Sequence, residues 1–337
     1  MQRVNVLCTL RFTDAQLDKL RAVSPRLNVE QKTCRSAEEV TAALTPETQV
    51  LYTVHAAFDP ADYPGLKWVQ LHTAGVDHVQ ATPLMYSDVA VTTTSGIHAP
   101  RIAEYTFASM LAFTYRVPTM LRYQRRAEWP TGRWNIFAGH ELRGQTLGII
   151  GYGSIGREVA RLANAFAMRV LVSKRLVGDM TDDGYRLAGA GDLVGTFPDG
   201  VYGPDRLHEM LRQCDYVVVA APLTPQTRHM IDEVALQAMR PNAYLVNIAR
   251  GGLIDEAALA RALREGWIAG AGLDVFEEEP LPADSPLWKQ DNVILSPHVG
   301  GVSLKYDERA TDLFAQNLSR YLAGEPLMNM VDRERGY

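Results

Sequence analysis

At 337 residues the chain is long enough for two domains, and its 47% hydrophobic and 22% charged residues are those of an ordinary globular protein. With 39 acidic against 34 basic residues and a net charge of −5, it lacks the basic footprint of a nucleic-acid binder. No apolar run approaches the ~20 residues needed to span a bilayer. Met1–Val6 leads straight into a strand-like stretch, so no secretory signal is expected. Cys8, Cys34 and Cys214 are scattered, without CxxC or metal-ligand spacing. They read as packing residues of a reduced, cytoplasmic protein.

The first hundred residues alternate short apolar runs with amphipathic stretches. Strands are predicted at Val4–Thr9, Leu27–Glu30, Val50–Val54, Lys67–His72 and Val89–Thr93. Helices are predicted at Asp14–Val23, with Thr13 as N-cap, and at Ala37–Leu44 after Ser36. Such alternation implies a mostly parallel sheet covered on both faces. A long helix follows from Arg101 to about Phe113, with Pro100 at its mouth. Tyr115–His140 is rich in Arg, Trp and Pro and is less regular.

A second alternating series then begins. Its strands are Thr146–Ile150, Arg169–Ser173, Tyr216–Ala220, Ala243–Ile248, Ala269–Asp274 and Val293–Leu295, the six of a full dinucleotide-binding sheet. Glu256–Arg264 is the clearest of the intervening helices and ends at Gly266. Gly178–Gly203 is rich in Gly and Asp, lacks periodicity and exceeds most connections in length. It reads as a partly mobile surface insertion. Ser303–Leu322 reads as a closing helix.

The sharpest local motif is Gly151-Tyr152-Gly153-Ser154-Ile155-Gly156, between the apolar strand Leu147–Ile150 and a helix predicted at Arg157–Phe166. The first glycine permits a tight turn, the second lets backbone approach a pyrophosphate, and the third lets helix pack on strand. The phosphate charge then sits at the helix N-terminus, with Ser154 and Ile155 of the turn just before it as expected cofactor contacts. A site for NAD(H) usually carries a carboxylate at the end of the second strand. Here Ser173, Lys174 and Arg175 stand there, a hydroxyl and two cations that suit a 2′-phosphate. NADP(H) is therefore favoured, with NAD(H) possible. The bland alternative is a solvated strand end.

Three more segments end strands of the second series: Asn247–Gly252 with Arg250, Gly272–Pro280 with the run Glu277-Glu278-Glu279, and Ser296–Gly301 with His298. Ligands bind at the carboxyl ends of parallel strands, so Arg, Glu and His converge there. With Ala74-Gly75-Val76-Asp77, Gly96-Ile97-His98, Ala103-Glu104 and Ala221–Thr227, these segments make the chain resemble the D-isomer-specific 2-hydroxyacid dehydrogenases, nearly end to end. That family includes glyoxylate and hydroxypyruvate reductases.

The resemblance implies an α/β protein with a Rossmann dinucleotide-binding domain, residues 100–301, inserted into a flavodoxin-like substrate domain, residues 1–99 and 302–337, both with parallel sheets. It implies a homodimer through residues 101–145. It also implies hydride transfer between NAD(P)H and a small 2-keto acid. His298 would be the acid/base and Glu279 its partner. Arg250 would bind the substrate carboxylate and polarise the carbonyl. Backbone N–H groups of Ala74, Gly75 and Val76 would hold the other carboxylate oxygen. Pro222, Thr227, Ile248, Ala249 and Asp274 complete the expected cofactor contacts, Asp274 at the nicotinamide carboxamide. No metal is expected.

The other histidines read as structural, although His55 and His72 are candidates for the pocket wall. Arg133 and Trp134 are weaker candidates to reach a neighbouring subunit's site. Rival activities are disfavoured by single residues. Formate dehydrogenases carry Gln at the place of Glu279, and phosphite dehydrogenases carry Lys at the place of Ala74. A phosphorylated substrate would want more cations than Leu71–Gln80 supplies. An NAD(H)-binding corepressor-like sensor is the alternative outside enzymes.

Overall fold

The computed structural model describes residues 3–336; Met1, Gln2 and Tyr337 of the terminal readings lie outside them. The described chain forms two compact units. One takes the residues up to Ile97, a short segment Asp183–Leu187, and those from Ser303 onward. The other takes His98–Asp182 and Ala188–Val302.

The first unit is built on five parallel strands: β1 (Val4–Cys8), β2 (Leu27–Gln31), β3 (Val50–Thr53), β4 (Trp68–Leu71) and β5 (Ala90–Thr92). Their order is β2-β1-β3-β4-β5, the flavodoxin-like arrangement. β3 and β4 are buried along their whole length, as a sheet covered on both faces requires. Helix Asp14–Ala22 starts at a capping box between Thr13 and Gln16, and helix Ala37–Ala43 is capped by Ser36. Burial of Gln70 on β4 is offset by its bonds. Its Oε1 accepts from Thr92 Oγ1 at 2.8 Å and from Asn317 Nδ2 at 3.3 Å.

The C-terminal helix Tyr306–Ala323 lays Phe314 and Leu318 onto this sheet. The Phe314 ring lies 4.7 Å from that of Tyr52 and 5.3 Å from that of Trp68. Phe314 is fully buried, so Phe314→Ala removes transfer energy and leaves a cavity. The expected loss is about 3–5 kcal/mol, read as a lower denaturation midpoint with unchanged slope. The segment Asp183–Leu187 packs Tyr185 against Ile97, Ala310 and Leu313. The Tyr185 carbonyl comes so close to Gly96 (φ +91°) that a Cβ there would lie 1.9 Å from its oxygen.

The second unit holds seven parallel strands: β6 (Thr146–Ile150), β7 (Arg169–Ser173), β8 (Gly200–Tyr202), β9 (Tyr216–Val219), β10 (Tyr244–Asn247), β11 (Gly270–Leu273) and β12 (Val293–Leu295). Their order, β8-β7-β6-β9-β10-β11-β12, reverses direction beside β6 in the doubly wound manner. The expected count of six strands is corrected to seven. β8 lies inside the stretch expected to be an insertion, and it forms the sheet edge beside β7. The remainder of that stretch is folded and anchored, as set out below. Helix Ala99–Thr114 covers one face, where Phe107 stacks on Phe166 at 5.0 Å and Ser109 bonds the Tyr244 hydroxyl at 2.9 Å.

All three cysteines are free. Burial pushes the Cys8 and Cys214 thiols up to about 12, so both are inert packing groups. Among the described residues no helix is long and apolar enough to cross a membrane, and no His/Cys/Asp/Glu group has a metal-site arrangement.

Candidate active site

The glycine turn has the shape a pyrophosphate needs. Gly151 has φ +96°, and a Cβ there would lie 2.6 Å from Ala221 N. A Cβ on Gly156 would lie 2.2 Å from the Gly151 carbonyl oxygen, so the third glycine lets helix Ser154–Ala165 close onto β6. At Gly153 a Cβ would meet no protein atom within 4 Å. The second glycine therefore faces open space at a helix N-terminus that has no side-chain cap. A dinucleotide phosphate fits that cradle.

At the end of β7, Ser173 is buried and its carbonyl accepts the Gly151 N–H at 2.9 Å. Lys174 follows, its amide held by the Tyr202 carbonyl at 3.1 Å and its ammonium by the Asp179 carbonyl. Partial burial and the Arg157 guanidinium hold the Lys174 pKa below the usual ammonium range. Arg175 is exposed. Pro222 and Thr227 lie in the turn beyond β9, where Thr227 Oγ1 donates to the Pro222 carbonyl at 2.7 Å.

The Arg–Glu–His residues lie at the same carboxyl edge of the sheet, beyond β10, β11 and β12. Asn247 ends β10 and ties the next turn: its Nδ2 donates to the Arg250 carbonyl at 2.9 Å, and its Oδ1 accepts the Ala249 N–H at 3.2 Å. Ile248 is buried in the sheet's core. Arg250 Nη1 donates to the Ala249 carbonyl at 2.7 Å, which sets the guanidinium plane. Gly251 presses on the neighbouring segment so tightly that a Cβ would lie 1.8 Å from the Phe276 carbonyl carbon. The Arg250 and Glu279 segments are thus locked together through backbone.

Glu279 accepts the Phe276 N–H on Oε1 at 3.0 Å and meets His298 Nδ1 with Oε2 at 2.7 Å. An ionised carboxylate only accepts, so Nδ1 carries the donated hydrogen and Nε2 is the nitrogen left for chemistry. His298 has φ +53°, a backbone conformation that a bulky residue rarely adopts. Asp274 supports it. Its carbonyl accepts the His298 N–H at 2.8 Å. Its buried carboxylate accepts Ser296 Oγ at 2.6 Å and the N–H groups of Val299 and Gly300 at 2.8 Å each. Tyr105 OH bonds Ser296 Oγ at 2.6 Å and completes the brace. Asn247, Ser296 and Tyr105 were missed in the sequence. The available signal for Asn247 and Ser296 was a polar residue at the end of an apolar strand; Tyr105, inside helix Ala99–Thr114, carried none.

Ala74, Gly75 and Val76 belong to the first unit. Thr73 Oγ1 donates to the Gly75 carbonyl at 2.8 Å there, and the Val76 side chain is buried. His72, just before them, bonds the Tyr52 hydroxyl through Nδ1 at 2.6 Å, and burial lowers its pKa. It braces the loop's base. His55 is held through its backbone, whose N–H donates to Thr53 Oγ1 at 3.0 Å.

Residues 107–300 match the model of the D-isomer specific 2-hydroxyacid dehydrogenase NAD-binding domain. A glyoxylate reductase of Korarchaeum cryptofilum is 38% identical over 273 residues, 80% of this chain and 77% of that protein. A D-isomer specific 2-hydroxyacid dehydrogenase family protein of Aeromonas salmonicida superposes with a TM-score of 0.77 at 31% identity, covering 99% of this chain and all of that one. A D-isomer specific 2-hydroxyacid dehydrogenase of Xanthobacter autotrophicus, solved in complex with NADPH and MES, gives 0.78 at 29% identity and covers both chains fully.

Proposed function

The chain belongs to the D-isomer-specific 2-hydroxyacid dehydrogenase family, and from that premise we propose that it reduces a small 2-keto acid to the D-2-hydroxy acid with NADPH. The observation that carries the reading is the 2.7 Å pair of His298 and Glu279, set at the same sheet edge as Arg250 and the glycine turn.

The reduced nicotinamide supplies the hydride when the cofactor is bound. The residues of the chain do the rest. Arg250 grips the substrate carboxylate with its forked donors and draws charge onto the carbonyl oxygen. His298 delivers a proton from Nε2 to that oxygen as the keto carbon gains hydride. The donor is the imidazolium form of His298: its Nδ1–H stays on Glu279, whose carboxylate faces the positive charge and keeps the ring turned toward the substrate while Nε2 gives up its proton. N–H groups of Ala74, Gly75 and Val76 are assigned to the second carboxylate oxygen, and Asp274 and the turns at Pro222, Thr227, Ile248 and Ala249 to the cofactor.

The preference for NADP(H) is supported by Ser173, Lys174 and Arg175 where a carboxylate would bind a free ribose 2′-OH. A related enzyme was solved with NADPH. Glyoxylate and hydroxypyruvate are the substrates we favour, since several relatives bear the name glyoxylate reductase. A homodimer through residues 101–145 is supported by the apolar side chains exposed there, Trp129 at 82% and Trp134 at 78% among them.

The test is oxidation of NADPH and NADH in turn with glyoxylate, hydroxypyruvate, pyruvate and a bulkier 2-keto acid. Fast turnover of NADPH with the two small keto acids is expected. A large NADH preference would overturn the cofactor assignment alone. Tight cofactor binding without turnover of any pair would overturn the enzymatic reading in favour of a sensor.

A further inference from the structure

The segment between β7 and β8 is organised around one buried guanidinium. Arg157, in the helix that the glycine turn opens, is only 2% exposed. It donates through Nη1 to the Met180 carbonyl at 2.9 Å and to the Asp192 carbonyl, and through Nη2 to the Thr181 carbonyl at 2.9 Å. It lies over the Tyr152 ring, 4.7 Å from the centroid. The Tyr152 hydroxyl donates to Asp192 Oδ2 at 2.5 Å. Asp192, 4% exposed, also accepts the N–H groups of Thr196 and Phe197, at 2.8 and 3.0 Å, and the Thr196 hydroxyl at 3.0 Å. The two limbs of the segment are joined by a further bond, Asp182 N–H to the Leu193 carbonyl at 3.1 Å.

Burying an arginine is costly unless its donors are matched, and a surface connection has no general need of one. Here Nη1 and Nη2 are matched by main chain, with Nε left 3.7 Å from Asp182 Oδ2, and two of the three acceptors, the Met180 and Thr181 carbonyls, directly follow Asp179, whose own carbonyl holds the Lys174 ammonium. Tyr152 and Arg157 meanwhile come from the glycine turn and from the helix that follows it. One end of the cluster is therefore the cofactor turn, and the other end is the cation assigned to the 2′-phosphate. An ammonium has three donors. With one fixed on the Asp179 carbonyl, two remain for a phosphate.

We propose that the Tyr152–Arg157–Asp192 cluster is a positioning device for cofactor specificity: it shapes the 178–203 segment so that Asp179 fixes Lys174 where a ribose 2′-phosphate binds. The proposal rests on the NADP(H) reading above and adds the residues that enforce it. Tyr152, Arg157 and Asp192 act through Lys174.

The test uses the full chain and calorimetric titration with NADPH, NADH and 2′,5′-ADP, for wild type, Asp192→Asn, Tyr152→Phe, Lys174→Ala and the Asp192→Asn/Lys174→Ala double variant. Asp192→Asn and Tyr152→Phe are each expected to weaken NADPH and 2′,5′-ADP about tenfold, the equivalent of about 1.4 kcal/mol, with the NADPH-to-NADH ratio falling by the same factor. Asp192→Asn should add little in the Lys174→Ala background. Tyr152→Phe keeps the ring over Arg157, so it still tests the proposal if Asp192→Asn fails to fold. An unchanged cofactor ratio in the variants of an NADPH-preferring wild type overturns the positioning role and leaves the cofactor reading intact. Equal weakening of both cofactors also overturns it, because that is the mark of a merely structural cluster. A wild type that prefers NADH overturns the cofactor reading, and the proposal with it.

Discussion

His298→Ala lowers kcat for keto-acid reduction by about 10²–10⁴-fold and leaves NADPH affinity within about twofold, the range of a lost general acid. The expectation follows from how the ring is held. Glu279 occupies Nδ1 at 2.7 Å, and the Asp274 carbonyl fixes the backbone N–H at 2.8 Å. Asp274, Ser296 and the Val299 and Gly300 amides hold the surrounding turn without help from the imidazole. Removal of the ring therefore takes away a proton donor and little structure. Its side chain is 50% exposed, so no core cavity forms. Glu279→Gln is the companion variant. It preserves shape but removes the carboxylate that faces the imidazolium, so it lowers kcat by a smaller factor through the charge partner and orientation of the proton donor. Single-turnover mixing separates proton delivery from product release. A wild-type single-turnover rate in His298→Ala would remove the residue from the chemistry.

The parts of this site that were legible in the sequence share one property: each is a side chain or glycine whose own chemistry dictates its place. Three glycines at fixed spacing between strand and helix can hardly be read otherwise, and their close approaches show why: 2.2 Å from a Gly156 Cβ to the Gly151 oxygen leaves room for hydrogen only. The segments that carry Arg250, Glu279 and His298 were legible because each follows an apolar strand run and parallel strands place their ends on one edge, but the choice of Glu279 over Glu277 and Glu278 came from the family resemblance. Strand β8 was not legible, since Gly200–Tyr202 has three half-buried residues and no alternation to count. Neither was the anchoring of 178–203. Arg157 binds main-chain carbonyls, which any sequence offers, and Tyr152 fills a variable position of the glycine turn. Likewise Asp183–Leu187 joins the first unit through Tyr185, a single aromatic in a Gly- and Asp-rich stretch. Side chains that pair with backbone nearby in the chain left a trace in the sequence, as the N-cap at Thr13 did, whose partner is Gln16. Side chains that pair with backbone far along the chain, as Arg157 does with Met180 and Asp192, left none.

Arg250→Ala lowers kcat/KM for glyoxylate by about 10²–10³-fold, the loss typical of one positioned donor at a developing oxyanion. Arg250→Lys restores only part of it. An ammonium supplies the charge but not the planar fork that meets a carboxylate with two parallel bonds. The guanidinium plane is set by the bond from Nη1 to the Ala249 carbonyl at 2.7 Å, and Asn247 fixes the turn beneath it through the Arg250 carbonyl. The Nη1 bond goes with the side chain, but the Asn247 bonds to the Arg250 carbonyl and the Ala249 N–H are made to backbone and survive the substitution, so thermal midpoint and NADPH affinity are expected to hold. A neutral aldehyde separates the two tasks assigned to this side chain. It lacks the carboxylate, so Arg250→Ala should cost it only the carbonyl polarisation, and the preference for glyoxylate over that aldehyde should fall. If both substrates lose the same factor, Arg250 does not bind the carboxylate, and that anchor passes to the N–H groups of Ala74, Gly75 and Val76.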